Sequence, residues 1–133
     1  MHKNFTHNVK VYYEDTDAGG VVYYANYLKY LERARTEALS TIGLSNIKIK
    51  NDFGALIIVK SCNIEYKKSA YLEDDLQIKS FVDSTSKTSF LMNQLIFKPV
   101  VNSQRVGYIS TNSAIEFVLT FTGKFGALII IGT

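Results

Sequence analysis

One helical pattern followed only by strand patterns is the feature that most restricts how this chain can fold. From about residue 25 to residue 42, apolar side chains recur at spacings of three and four residues, which places them on one face of a helix. Tyr27, Leu31 and Ala34 belong to this stripe, and Gly43 follows where a glycine commonly ends a helix. The sequence therefore predicts one long amphipathic helix.

Strand patterns occupy most of the remaining chain. A short alternation of Val9, Val11 and Tyr13 precedes the helix, and four longer strand patterns follow it. These four are Ala55–Tyr66, Leu76–Val82, Ser89–Phe97 and Val106–Leu119. Short links between consecutive strands favour antiparallel hairpins over crossover connections. The predicted class is α+β, with the helix covering one face of an antiparallel sheet.

Length and composition fit one folded domain. The chain has 133 residues, of which 47% are hydrophobic and 20% are charged, so it can bury a core. We interpret residues 1–8 as a polar N-terminal arm and residues 120–133 as a C-terminal tail of atypical sequence. No internal repeat or Gly/Ser-rich linker divides the chain. We expect a single domain over residues 1–133.

Charge and targeting signals restrict the compartment and the partners. The formal net charge is +3 and no dense Lys/Arg run occurs, so we predict no nucleic-acid partner. Met1–Lys10 lacks the apolar core of a signal peptide, and the apolar run Ala127–Ile131 is too short to span a membrane. The single cysteine, Cys62, suits a reducing compartment, and we interpret it as a buried, unreactive thiol. The expected location is cytoplasmic.

The segment just before the helix carries the groups best suited to chemistry. Glu14, Asp15 and Asp17 precede the pair Gly19-Gly20, and the predicted helix begins a few residues later. The first turn of a helix offers free N–H groups and the positive end of its dipole, which can stabilise an oxyanion. A carboxylate held beside it can attack a carbonyl or activate water. This arrangement suits hydrolysis of a thioester, because a thiolate leaves readily.

The same segment resembles the signature of a known family. Residues 15–23 (DTDAGGVVY) and 25–28 (ANYL) look like the motif of hotdog-fold acyl-CoA thioesterases of the 4-hydroxybenzoyl-CoA thioesterase family. Residues 31–37 (LERARTE) and 64–70 (IEYKKSA) fit the Tol-Pal-associated bacterial branch of that family. The resemblance covers roughly residues 9 to 118.

This resemblance implies a fold, an assembly and an activity. The hotdog fold has a five-stranded antiparallel sheet wrapped around one long helix, here about residues 25–42. Family members form homodimers, often paired into homotetramers, with active sites at the subunit interface. The implied reaction converts a short-chain, medium-chain or aromatic acyl-CoA to the free acid and CoA, with no cofactor. An acyl carrier protein is a further candidate partner.

The resemblance also implies roles for individual residues. Asp17, the second acid of the motif, is the expected catalytic carboxylate, either as a nucleophile or as a general base on water. The backbone N–H of Tyr24 is expected to face the thioester oxygen. Tyr24 stands where many members of the Tol-Pal-associated branch carry histidine, which leaves the substrate preference open. Ser69 stands where a proline is common.

Two further groups of residues complete the predicted site. The loop and helix-start residues expected to contact substrate are Gly19, Gly20, Val22, Tyr23 and Asn26. The cations expected to bind the phosphates of CoA are Lys60, Lys87 and Arg105. Asn26 has a second interpretation, since an asparagine at this position could cap the helix. Glu14 and Asp15 are interpreted as exposed or capping acids.

Two other functions compete with the thioesterase interpretation. A hotdog dehydratase acting on hydroxyacyl thioesters would be expected to use a catalytic histidine, but His2 and His7 both precede the first predicted strand. The scarcity of histidine also disfavours most zinc sites, so no metal is predicted. A non-catalytic acyl-carrier or envelope-complex binding module is the second alternative, and Tyr24 and the atypical tail keep it open.

Overall fold

An antiparallel sheet and two helices make up the fold in the computed structural model, which describes residues 4–87, 89–99, 108–122 and 128–129. The elements in chain order are β1 (Phe5–Lys10), α1 (Asn26–Thr41), α2 (Asn46–Phe53), β2 (Ala55–Tyr66), β3 (Asp75–Thr85), β4 (Ser89–Lys98), β5 (Tyr108–Thr122) and β6 (Leu128–Ile129). Five strands follow the order β1-β3-β4-β5-β2, and β6 pairs with β5. The predicted α+β class, with five antiparallel strands and one long helix, is confirmed.

Most of the predicted apolar stripe forms the buried face of α1, but Leu28 and Ile42, which also fit its spacing, are exposed. Its inward residues are at most 7% exposed and are Tyr27, Tyr30, Leu31, Ala34 and Ala38. Their spacing of three and four residues puts them on one side of the helix, against the inner face of the sheet. The helix ends as predicted, because Gly43 adopts a φ of 76° and its N–H donates to the Ser40 carbonyl. Within the described ranges, no helix is long and apolar enough to cross a membrane.

The second helix, α2, is an element that the sequence pattern does not predict. Ile47 and Ile49 alternate with lysines, which resembles a strand pattern, and Ile49 is the one buried residue of the helix. Local hydrogen bonds define its ends instead. The Ser45 Oγ accepts the N–H of Lys48 at 3.0 Å, and the N–H of Gly54 donates to the Lys50 carbonyl at 2.9 Å.

The N-terminal boundary corrects the sequence interpretation. β1 pairs with β3, so residues 5–8 belong to the sheet and not to a polar arm. Alternate residues of β1 are half-buried, but polar residues among them obscure the period of two in the sequence. His7 lies inside this strand, opposite Ile78, and not before it. Tyr13, predicted as a strand residue, begins a short 3₁₀ turn over Tyr13–Asp15.

The C-terminal tail also needs a correction. Thr120 and the two residues after it continue β5, and Leu128–Ile129 pair with that strand as β6. Part of the predicted tail therefore belongs to the sheet. The other tail residues, and the predicted start of the last strand at Val106, lie outside the described residues.

A buried polar side chain links α1 to the middle of the sheet. Gln94 is 1% exposed, and its Nε2 donates to the Leu31 carbonyl at 3.0 Å and to the Ser80 Oγ at 2.9 Å. The backbone carbonyl of Gln94 accepts a hydrogen bond from the Ser113 hydroxyl at 3.1 Å. Because every one of these groups is hydrogen-bonded, the polar cluster is compatible with a well-packed core.

The two ends of α1 lie over opposite ends of the sheet. Near the first turn, the Tyr27 hydroxyl accepts the N–H of Ala70 at 2.9 Å, shortly before β3 begins. Near the last turns, Leu39 faces a cavity that is also lined by Val82 and Phe90, where β3 ends and β4 begins. Most of the 11-residue strand β3 separates these two points.

β2 lies at an edge of the sheet. It follows β5 at the end of the strand order, and no other strand pairs with it among the described residues. Several of its apolar side chains are exposed, with values of 36% for Leu56, 44% for Ile58 and 49% for Val59. A long edge strand that carries apolar side chains is a surface suited to pairing with another chain.

Truncating the buried face of α1 tests this packing. Leu31→Ala should lower the free energy of unfolding by about 2–5 kcal/mol, because a fully buried side chain leaves a cavity behind it. Leu28 lies on the same helix but is 46% exposed, so Leu28→Ala should cost less than about 1 kcal/mol. Urea unfolding followed by circular dichroism measures both values. Equal losses would contradict the assignment of the buried face.

Candidate active site

The segment between β1 and α1 folds into a tight loop that presents Asp17 to solvent. The N–H of Asp17 donates to the Val21 carbonyl at 2.9 Å, and the Asp17 carbonyl accepts the N–H of Gly20 at 3.0 Å. The side chain takes part as well, since Oδ1 of Asp17 accepts the N–H of Gly19 at 2.8 Å. One carboxylate oxygen is therefore fixed by the loop, and the side chain remains exposed.

Buried hydrogen bonds hold this loop against the start of α1. Asp15 is 8% exposed, and its Oδ2 accepts the N–H of Tyr12 at 3.0 Å. The Asp15 carbonyl accepts the Nδ2 of Asn26 at 2.8 Å and the N–H of Tyr23 at 3.0 Å. Asn26 is thus a buried link and not a helix cap, because the N-cap position is Ala25, which makes no side-chain capping bond.

Two backbone N–H groups are free where α1 begins. The N–H groups of Asn26, Tyr27 and Leu28 donate to carbonyls three residues earlier. Those of Tyr24 and Ala25 have no hydrogen-bond partner within the part of the chain that the structure describes. Free donors at the positive end of a helix can stabilise an oxyanion, which is the role expected for the Tyr24 N–H.

The glycine pair serves the loop in two different ways. Gly20 adopts a φ of 79°, and a Cβ built there meets nothing within 4 Å, so the constraint is the backbone conformation. A Cβ on Gly19 would lie 3.3 Å from the Oδ1 of Asp17. Gly19 therefore lets the carboxylate approach its N–H closely.

Val22 and Tyr23 lie on opposite sides of the loop. Val22 is 4% exposed in the core, and its N–H donates to the Ala70 carbonyl at 2.8 Å. Tyr23 is 47% exposed, and its ring lies 4.8 Å from that of Tyr24, which in turn lies 6.2 Å from the ring of Tyr66. Of the two predicted contact residues, Tyr23 is the one whose side chain is accessible to a ligand.

Of the predicted phosphate-binding cations, Lys60 and Lys87 have described positions, and neither forms an ion pair with Asp17. Lys60 lies in β2, and its Nζ is 3.0 Å from a carboxylate oxygen of Glu116. Lys87 is exposed in the turn between β3 and β4, at the end of the sheet away from the loop. Arg105 lies outside the described residues.

Cys62 is exposed in the edge strand β2, which corrects the expectation of a buried thiol. Partial burial of the sulfur still raises the pKa of the Cys62 thiol, while the nearby Arg35 guanidinium acts in the opposite direction. A raised pKa disfavours the thiolate, which is the reactive form. No group of three or more His, Cys, Asp or Glu side chains suited to a metal ion occurs among the residues with described positions.

A cavity of about 830 Å³ lies at the far end of α1 from Asp17. Its lining comes from α1, α2 and strands β1 to β5, and includes Phe5, Ala38, Ile49, Ile57, Phe90 and Leu119. The volume and the mostly apolar lining are typical of a ligand pocket. No sequence motif marks this cavity, because its residues come from seven separate elements.

Comparisons with known proteins agree on one family. The profile of the thioesterase-like superfamily matches residues 11–122. The acyl-CoA thioesterase YbgC of Haemophilus influenzae is 38% identical over 98 residues, which cover 74% of this chain and 72% of that protein. The acyl-CoA thioester hydrolase YbgC of Escherichia coli O6:H1 is 43% identical over 88 residues, which cover 66% of this chain and 65% of that protein.

A solved structure supports the fold. A 4-hydroxybenzoyl CoA thioesterase mutant, complexed with 4-hydroxybenzoyl CoA, superimposes with a TM-score of 0.84 at 19% sequence identity. The match covers 98% of this chain and 92% of the other. At this level of identity the likeness concerns the hotdog fold alone.

The positive φ of Gly20 gives a test of the loop. Gly20→Ala should lower the free energy of unfolding by about 1–2 kcal/mol, because a side chain disfavours the left-handed region. Gly19→Ala is the matched control and should cost less, since Gly19 has no positive φ and the exposed Asp17 side chain can shift. Chemical denaturation of both variants measures the difference. A neutral Gly20→Ala substitution would contradict the loop conformation.

Proposed function

This chain belongs to the thioesterase-like superfamily and is a thioester hydrolase, and we propose that it cleaves acyl-CoA to the free acid and CoA with Asp17 as its catalytic carboxylate. The observation that carries the proposal is the exposed Asp17 side chain in a loop fixed to a helix start, where two N–H groups have no partner among the described residues. The relatives named YbgC, which are acyl-CoA thioesterases, support CoA as the leaving group.

The chemistry needs one carboxylate and an oxyanion site. Oδ1 of Asp17 already accepts the Gly19 N–H, so Oδ2 is the oxygen available for reaction. It would either attack the thioester carbon, giving CoA thiolate and a mixed anhydride that water then hydrolyses to the free acid and the Asp17 carboxylate, or take a proton from the water that attacks. In both routes the N–H groups of Tyr24 and Ala25 would donate to the carbonyl oxygen as negative charge develops on it.

The loop and the first turn of α1 contain no histidine, so the carboxylate works without an imidazole partner in this segment. A thioester suits this arrangement, because the departing thiolate needs no proton donor. Tyr23 and Tyr24 are exposed beside the loop and are positioned to contact the part of the substrate next to the thioester.

We also propose that the active unit is a homodimer that pairs through β2. Antiparallel pairing of two β2 edges around a twofold axis would place the Tyr66 end of one strand beside the Ala55 end of the other. The Tyr66 end lies beside the Asp17 loop, because the ring of Tyr66 contacts that of Tyr24. The Ala55 end lines the cavity. Each loop would then face the cavity of the partner subunit.

The cavity is the proposed site for the acyl group. Within one chain, Asp17 precedes the first turn of α1, whereas α1 contributes to the cavity lining only from Glu32 onward. Across the proposed dimer the two features meet. Lys87 lies in the turn at the cavity end of the sheet and stays a candidate for contacting a CoA phosphate there.

Removing the charge of Asp17 tests the catalytic assignment. Asp17→Asn should lower kcat for acyl-CoA hydrolysis by about 100-fold or more, since an amide can neither attack nor accept the proton. The amide oxygen can still accept the Gly19 N–H, so the loop should keep its conformation. A thiol-release assay over a panel of acyl-CoA chain lengths and aryl thioesters provides the rates.

Glu14→Gln is the matched control, because Glu14 is an exposed acid of the same loop. It should stay within about threefold of wild type. Wild-type rates in Asp17→Asn would disprove the role of Asp17. The absence of hydrolysis for the whole panel by the wild-type protein would instead favour a non-catalytic binding module.

Mixing two inactive variants tests the shared site. Asp17→Asn removes the carboxylate, and Ile57→Trp should block the cavity that Ile57 lines. A mixed dimer of the two would keep one site with an intact loop and an intact cavity. Random exchange of subunits should therefore restore about a quarter of wild-type activity.

Subunit exchange has to be verified for this test. Light scattering should give about twice the 15.0 kDa mass of one chain for each variant. A labelled subunit shows by energy transfer that mixed dimers form. If mixed dimers form and no activity returns, the loop and the cavity do not work across the interface.

A further inference from the structure

One arginine lies in the wall of the apolar cavity. Arg35 is on α1, one residue after the buried Ala34, and it lines the cavity together with Glu32. These two are the charged residues among the described residues of the lining. A pocket that held only hydrocarbon would gain nothing from a guanidinium in its wall, since burying a charge without a partner is costly.

The Arg35 guanidinium is held in a fixed position. Its Nη1 donates to the Oε1 of Gln94 at 3.0 Å, and its central carbon lies 5.1 Å from the centre of the Phe117 ring. Gln94 is itself oriented by the two bonds of its Nε2 to Leu31 and Ser80. The side-chain oxygen of Gln94 must therefore face Arg35, and the guanidinium group is held in place before any ligand binds.

Most N–H donors of the Arg35 guanidinium remain available to a ligand. Arg35 makes one hydrogen bond and no ion pair with other residues of the described part of the chain. Guanidinium has five N–H donors in a planar arrangement that suits hydroxyl, carbonyl and carboxylate oxygens. Burial lowers the pKa of Arg35, which reflects a charge that has lost water without gaining a counter-ion in contact.

Glu32 does not account for this arrangement. It is exposed, it accepts a bond from the Thr36 hydroxyl at 3.4 Å, and it forms no ion pair within 4.0 Å of Arg35 among the described residues. Its negative charge balances Arg35 at longer range. The formal charges of the described wall are thus those of Arg35 and Glu32, and they balance each other.

We infer that Arg35 is a specificity-determining residue, which binds an oxygen-bearing substituent, hydroxyl or carboxylate, on the acyl group in the cavity. This inference rests on the proposed function, because it takes the cavity as the acyl site. An oxygen atom at this point would replace the water that Arg35 loses when the cavity fills. A plain hydrocarbon chain of the same length would leave the donors unsatisfied, and it would bind less tightly.

Matched substrates measure this discrimination. The series are hexanoyl-, ω-hydroxyhexanoyl- and adipoyl-CoA, and decanoyl-, ω-hydroxydecanoyl- and sebacoyl-CoA. In at least one series the wild-type kcat/KM for an oxygenated member should exceed that for the plain member by about tenfold or more, the value of a hydrogen bond to a charged group. The hydroxyl and carboxylate members of each series separate the two kinds of substituent.

Arg35→Gln should lower this preference to about threefold or less, because glutamine keeps a polar end group but lacks the positive charge and the five N–H donors of the guanidinium. The ratio of two substrates on one protein sample is independent of the folded fraction, so a loss of stability does not mimic the result. Arg33→Gln is the matched control, since Arg33 is an exposed arginine of the same helix. It should keep the wild-type ratio.

The outcomes separate this inference from the proposed function. Hydrolysis that depends on Asp17 but shows no preference for oxygenated acyl groups would overturn the role of Arg35 alone, as would a preference that survives Arg35→Gln. If the wild-type protein hydrolyses none of the six thioesters, calorimetry on the same protein still compares their Kd values. Equal Kd values within a series, or no binding, would then overturn the inference.

Discussion

Burial of one stripe of α1 against the inner face of the sheet is the constraint on which the rest of the structure depends. An antiparallel sheet with short connections cannot cover its own apolar face, and α1 is the long element that does so. The first turn of α1 holds the Asp17 loop through the hydrogen bond from Asn26 to the Asp15 carbonyl. Its last turns form one wall of the cavity, so the two candidate functional regions are fixed by a single helix.

The parts of the fold with strong local signals could be predicted from the sequence. The stripe of α1 repeats over more than four turns and is closed by Gly43, so both its existence and its end are encoded locally. α2 has no such stripe, because Ile47 and Ile49 alternate with lysines and the Ser45 cap alone marks its start. The start of β1 is also hard to predict from the sequence, because His7 occupies an inward position that is normally filled by an apolar residue.

In the candidate site, too, residues close together in sequence could be predicted, whereas contacts between distant residues could not. Asp17, Gly19 and Gly20 are neighbours in sequence, and the hydrogen bonds among them are local, so a motif could identify them. The bond from Asn26 to the Asp15 carbonyl crosses 11 positions and becomes visible only in the folded chain. The cavity required contacts between elements as distant as β1 and β5, which no local pattern can reveal.

The separation of the Asp17 loop from the cavity has a consequence for how such a protein can diversify. The loop is held by bonds within itself and by bonds to Asn26, Ala70 and Leu72, and none of these residues lies in the cavity wall. Substitutions in the wall can therefore change the size and polarity of the pocket without disturbing the groups around the reacting bond. One chemical step can then be retained while selection acts freely on the kind of acid that is released.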